Sequence, residues 1–197
     1  MNVILVLFGF LLGSIPWGYI IGKLKGVDLR QVGSGNIGAT NVLRTIGKKE
    51  ALITLLLDIS KGAVPVLVVR LIPSYAEDLL LMGLVGVFAV LGHCYTPFLR
   101  FKGGKGVATT IGVLLAYMPL AGLITVVIWI LTFKISKISS LGALISFSLL
   151  PVNVYVLDYP EETKLFSFLF TAIIYIRHIQ NIKRLIRGEE LRIGDKR

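Results

Sequence analysis

A single cysteine, Cys94, two histidines and 11 acidic residues are all that this 197-residue chain has of the groups that most often bind metals. One thiol excludes an intramolecular disulfide and any multi-cysteine metal site. Charge is scarce too: Asp, Glu, Lys and Arg make up 16% of the residues, against about 25% in an ordinary soluble domain. With 55% apolar residues and a mean hydropathy of +0.82, the chain reads as a membrane protein. No charge occurs in the first 22 residues, and neither a basic start nor an A-x-A site precedes them. They are expected to form a retained first span, not a cleaved signal. Internal repeats and low-complexity linkers are also missing, so residues 1–197 are read as one domain.

What is abundant is positive charge, with 21 Lys and Arg and a formal net charge of +10. These residues sit in short loops between apolar runs, not along one face of a soluble element, which argues against nucleic acid as a partner and for cytoplasmic loops. Apolar runs at 2–22, 51–72, 79–98 and 141–157 approach the roughly 20 residues a span requires. A shorter run covers 165–176, and 107–133 is interrupted by Pro119. Loop 23–50 carries Lys23, Lys25, Arg30, Arg44, Lys48 and Lys49, whereas 73–78, PSYAED, has only acids. If 107–133 is split at Pro119, then Arg100, Lys102, Lys105, Lys134, Lys137 and the tail residues Lys183, Arg184, Arg187, Arg192, Lys196 and Arg197 all fall on the cytoplasmic side. The expected fold is therefore an all-α integral membrane protein of seven transmembrane helices, N-terminus outside and C-terminus cytoplasmic. Gly9, Gly13, Gly18, Gly22 and Gly26 are expected to let helices pack closely.

Three polar segments gather on that cytoplasmic face. The first, GSGNIGATNVLR at 33–44, contains the letters of the dinucleotide fingerprint G-x-G-x-x-G, but it follows a span and not a β-strand. Its physical content survives: close glycines let backbone N–H groups converge on an anion, and a helix N-terminus adds its dipole. Ser34, Gly35, Asn36, Thr40, Asn41 and Arg44 are the candidate phosphate binders here. The second segment, FKGGKGVATT at 101–110, frames Lys105 with Gly103, Gly104 and Gly106 and places Thr109 at a helix start; it is not a Walker A loop. In the third, RHIQNIKRLIRGEE at 177–190, His178 and Asn181 share one side of a helix.

Within the spans, Asp58 and Lys61 lie one turn apart and are expected to pair, as a structural ion pair or as support beneath the site. His93 is read as a hydrogen-bonded structural histidine. Cys94 has no activating cation in view and is not taken as a nucleophile.

Together GSGNIGATNVLR, GHCYTPFLRFKGGKGVAT and RHIQNIKRLIRGEE closely resemble the three signature loops of the bacterial acyl-phosphate:glycerol-3-phosphate acyltransferases, and LLDISKG resembles a further shared stretch. Gln180 stands where that family usually carries an acid, which argues against an essential carboxylate there. The resemblance implies transfer of a fatty acyl group from acyl phosphate to the 1-hydroxyl of glycerol 3-phosphate, forming lysophosphatidic acid and phosphate. It also implies a multi-pass protein of the bacterial inner membrane whose active site faces the cytoplasm, with an acyl-phosphate-forming enzyme upstream. No cofactor or metal is expected. The H-x-x-x-x-D dyad of other glycerolipid acyltransferases is missing at both histidines, leaving His178 or the substrate phosphate as base, with Asn181 orienting the acceptor and Lys105 assisting the departing phosphate. A transporter for a phosphorylated metabolite is the alternative, but it calls for polar groups at mid-membrane. Neither the aspartate cluster of a CDP-alcohol transferase nor the paired histidines of a lipid phosphatase occur.

Overall fold

The computed structural model describes residues 2–194; Lys196 and Arg197, counted above in the basic tail, lie outside the described residues. The described chain is helical. In order it forms α1 (Val3–Gly13), α2 (Trp17–Leu24), α3 (Ala39–Thr45), α4 (Lys48–Leu71), α5 (Leu79–Cys94), α6 (Val107–Tyr117), α7 (Pro119–Ser136), α8 (Ser139–Val156), α9 (Glu161–Arg177) and α10 (Ile179–Ile186).

The first apolar run is one broken helix. Asn2 caps it by accepting from the Ile4 and Leu5 amides, and Pro16 interrupts it, because proline cannot continue the backbone ladder. Two carbonyls freed by the break find donors elsewhere: Thr96 Oγ1 donates to Ser14 at 2.6 Å and Lys61 Nζ to Ile15 at 2.7 Å. Gly9 and Gly13 bring α1 against the α5 backbone at Val85 and Ala89, as the small-residue spacing implies. Gly26 differs from that expectation. Nothing packs against it; at φ +72° it ends α2, with the Gly26 amide bonding to Lys23 and the Val27 amide to Gly22, a Schellman cap.

The expected seven spans are an overcount. Among the described residues, five stretches are long and apolar enough to cross a membrane: Val3–Leu24, Lys48–Leu71, Leu79–Leu99, Pro119–Ser136 and Ser139–Val156. A sixth arises if α9 and α10, bent by 62°, are one broken span. The chain does break before Pro119, where Met118 leaves helical geometry at φ −137° and ψ 77°. The fragment ahead of the break, α6, has only 11 residues, about 16 Å of helix for a hydrocarbon core of roughly 30 Å. The placement of the N-terminus outside and the C-terminus in the cytoplasm falls with the count, since it rested on alternation over seven crossings.

The short α6 is held by close contact rather than length. A Cβ at Gly62 of α4 would overlap the Thr109 carbonyl, and one at Gly112 of α6 would overlap the Ile59 carbonyl, so two glycines set the α4–α6 approach. The buried core, with Met82, Leu114, Phe147, Leu150, Phe166 and Phe170, fills the space among α5, α6, α8 and α9.

Candidate active site

Beside that core lies a cavity of about 430 Å³. Lys48 at the start of α4, Gly106 and Val107 at the start of α6, Ser139 and Ser140 at the start of α8, and His178 at the start of α10 all line it. With Gly38 and Ala39 at the start of α3, five helix starts thus border one space, and the start of a helix carries the positive end of its dipole. Arg44, Lys48, Lys105 and Arg184 add side-chain charge to the same wall.

Nine of the thirteen residues singled out in the sequence reach this cavity: Ser34, Asn36, Thr40, Asn41, Arg44, Lys105, Gly106, His178 and Asn181. Asn41 is placed there with its amide already engaged. Its oxygen accepts from the Ser34 amide at 2.9 Å, and its nitrogen donates to the carbonyls of Leu29, Val32 and Asn36. It shapes the first loop. Thr40 Oγ1 lies 3.0 Å from Ser139 Oγ, joining the loop to α8.

Gly35, Gly103, Gly104 and Thr109 are not in the wall. Gly103 and Gly104 lie one layer behind it, where Arg177 donates to both carbonyls at 3.0–3.2 Å while stacking over the Tyr95 ring at 4.9 Å. A side chain on Gly104 would run into the His93 imidazole. Gly106 adopts φ +86° and turns the chain into α6, a conformation that favours glycine. Thr109 packs toward Gly62.

Lys105 is half-buried, and that desolvation pushes its ammonium down to about 8; Glu190 opposes the shift, whereas Arg184, Arg177 and Arg44 add to it. Burial works to raise the Glu190 carboxyl, yet hydrogen bonds from Ser140, Arg184 and Asn181 together hold it below its ordinary value. Those bonds run from Ser140 Oγ to Oε1 at 2.7 Å, from Arg184 Nε to Oε2 at 2.7 Å and from Asn181 Nδ2 to Oε1. His178 Nδ1 lies 2.7 Å from the Ile174 carbonyl. A carbonyl only accepts, so Nδ1 carries the proton and Nε2 keeps its lone pair.

Sequence reasoning passed over Lys48, Ser139, Ser140, Arg184 and Glu190 in the wall and Arg177 behind it. Arg177, Arg184 and Glu190 belong to a segment already singled out, and the Ser139-Ser140 pair opening a helix was the available signal for the others. Asp58 and His93 also line the cavity. The expected Asp58–Lys61 pair forms at 3.0 Å with both side chains buried.

The rest of the wall is apolar. Leu52, Leu55 and Ile59 of α4 face Val126, Trp129, Ile130 and Phe133 of α7, so one space joins a cationic end to a lipophilic one.

Comparison with known proteins meets the same chemistry. The glycerol-3-phosphate acyltransferase of Agrobacterium fabrum is 49% identical over 191 residues, spanning 96% of this chain and 91% of its own. That of Aquifex aeolicus is 42% identical over 188 residues, spanning 95% and 97%. The crystal structure of PlsY (YgiH), an integral membrane glycerol 3-phosphate acyltransferase, superposes in its glycerol 3-phosphate form with a TM-score of 0.92 at 42% identity, covering 98% of this chain and 95% of that one. Its lysophosphatidic acid form gives 0.90 at 40%. The glycerol-3-phosphate acyltransferase family pattern matches residues 3–188, and this multi-pass membrane chain belongs to that family.

Proposed function

We propose that the protein transfers a fatty acyl group from acyl phosphate to the 1-hydroxyl of glycerol 3-phosphate, yielding lysophosphatidic acid and inorganic phosphate. One observation carries this reading: a single cavity joins five helix starts and a cluster of cations to an apolar wall between α4 and α7. A phosphate suits the first part and an acyl chain the second. Acceptor and product are also the two species with which the solved relative is described.

Acyl phosphate is already activated, so the chemistry lies in holding two anions together and stabilising the departing phosphate. Ser34, Asn36, Thr40 and Arg44 serve one phosphate; Lys105 and Gly106 serve the other, held in place by Gly103 and Gly104 behind them, with Gly35 and Asn41 shaping the first loop. The acceptor hydroxyl attacks the acyl carbonyl, and its proton passes to His178 Nε2 or to a substrate phosphate oxygen. The C–O bond to phosphate breaks, and Lys105 compensates the charge that leaves. Asn181 orients the acceptor, and Thr109 sets the start of α6. The whole chain, 1–197, acts as one domain in the bacterial inner membrane. The excess of Lys and Arg in the loops beside the cavity supports a cytoplasmic-facing site, to which an acyl-phosphate-forming enzyme supplies the donor.

The test is phosphate release by purified protein given palmitoyl phosphate and glycerol 3-phosphate, with palmitoyl-CoA and acyl carrier protein thioester as rival donors. Acceptor-dependent release with acyl phosphate alone is expected, and Lys105→Ala should remove it. Equal turnover with either thioester, or full activity in Lys105→Ala, overturns the assignment.

A further inference from the structure

Behind the cationic wall, Asp58 of α4 and His93 of α5 meet at the cavity surface. They are 2% and 5% exposed. His93 Nδ1 and Asp58 Oδ1 face each other across 3.7 Å; His93 Nδ1 is buried without a hydrogen-bond partner among the described residues, whereas Asp58 Oδ1 is met on its other side by Lys61 Nζ at 3.0 Å. Lys61 neutralises the carboxylate at 3.0 Å, but its ammonium is also held by the Ile15 carbonyl at 2.7 Å, away from any role in gripping substrate.

This corner differs in chemistry from the rest of the wall. A carboxylate repels phosphate and can only accept hydrogen bonds, whereas an imidazole can donate or accept. The neutral group that satisfies both is a hydroxyl, which donates to one and accepts from the other. A polar group buried without a partner carries a cost that a bound hydroxyl relieves. We propose that Asp58 and His93 form a hydroxyl-recognition subsite that takes the secondary, 2-hydroxyl of the acceptor's glycerol backbone. This rests on glycerol 3-phosphate being the acceptor. The phosphate then lies against Lys105 and the helix N-termini, and the polyol end is read from the opposite side.

His93 also sits beneath Gly104, so loss of activity on substitution alone does not separate recognition from support of the loop. The comparison that does uses 3-hydroxypropyl phosphate, which keeps the phosphate and the reacting hydroxyl but lacks the middle one. The wild-type enzyme should favour glycerol 3-phosphate over this analogue by at least about 100-fold in kcat/KM. His93→Gln, and the charge-balanced pair Asp58→Asn with Lys61→Met, should reduce that preference to below about tenfold by lowering turnover of glycerol 3-phosphate alone. A brace for the loop predicts equal loss with both acceptors, and that result overturns the subsite. So does a wild-type enzyme that uses both acceptors equally.

A second readout needs no substitution at the subsite. The chain has two histidines, so imidazole 15N resonances, assigned with a His178 variant, report on it directly. Glycerol 3-phosphate should shift the His93 signals and 3-hydroxypropyl phosphate should leave them in place; identical responses count against the proposal. If the wild type acylates neither acceptor, it is the proposed reaction that fails.

Discussion

Lys105 carries two opposing demands. In the proposed role it must be charged to compensate a phosphate, yet partial burial, with Arg184, Arg177 and Arg44 nearby, brings its ammonium to about 8 despite the pull of Glu190. The charged form is the protonated one, so charge is lost as pH rises through that value. The pH dependence of kcat/KM reports the free enzyme; for glycerol 3-phosphate it should fall about tenfold per unit above roughly pH 8. The limb in kcat should lie higher, since bound phosphate favours the ammonium. Lys105→Arg keeps its charge throughout. It should turn over more slowly at pH 7 because its planar head fills the turn differently, but its kcat/KM should stay level past pH 9. An unchanged descending limb in that variant would assign the titration to another group.

At the scale of an element, α6 depends on two glycines. Ala at Gly112 would drive a methyl group into the Ile59 carbonyl, at a cost of about 1–3 kcal/mol or more. It would also push the N-terminus of α6, with Val107 and Ala108, off its place in the cavity wall. Gly26→Ala is the control. Nothing lies within 4 Å of its Cβ, but its φ of +72° makes the substitution cost about 1–2 kcal/mol. Both variants should melt earlier in detergent; assayed below both transitions, only Gly112→Ala should lose activity. Gly9 and Gly13 were legible as packing residues because a four-residue spacing repeats on one helix face. Gly26 continues the same spacing, but the left-handed φ that makes it a cap belongs to the tertiary chain path. The seven-span expectation failed for a related reason. Pro119 marks a break correctly, but composition does not tell a full crossing from the 11-residue α6 that Gly62 and Gly112 hold against α4. Nine of thirteen candidate site residues reached the cavity because glycine, hydroxyl, amide and cation together have little topological purpose. Asp58 reads in sequence as half of an ion pair, structural or supporting the site from beneath, and His93 as a structural histidine, since neither kind of buried group tells in sequence whether a cavity reaches it.

Across the whole molecule, the site is a seam between two solvents. Its cationic end gathers the loops and helix starts, whereas its apolar wall opens between α4 and α7, where Leu52 is 56% and Ile130 is 39% exposed. A donor with a long chain can therefore enter sideways from lipid while its phosphate stays at the polar end. Chain length is then sensed along α4 and α7, far from the reacting carbonyl. Each methylene withdrawn from water or lost from contact changes binding by about 0.8 kcal/mol. Ile130→Trp puts an indole across the outer part of the wall and displaces some three or four methylenes, worth about 3 kcal/mol. It should lower kcat/KM for palmitoyl phosphate by roughly 100-fold while leaving octanoyl phosphate, whose shorter chain needs less of the wall, within about threefold of wild type. The two donors share their phosphate and their carbonyl, so a loss common to both would place the damage at the polar end and refute the lateral groove. A loss confined to the longer chain ties donor selection to the gap between α4 and α7.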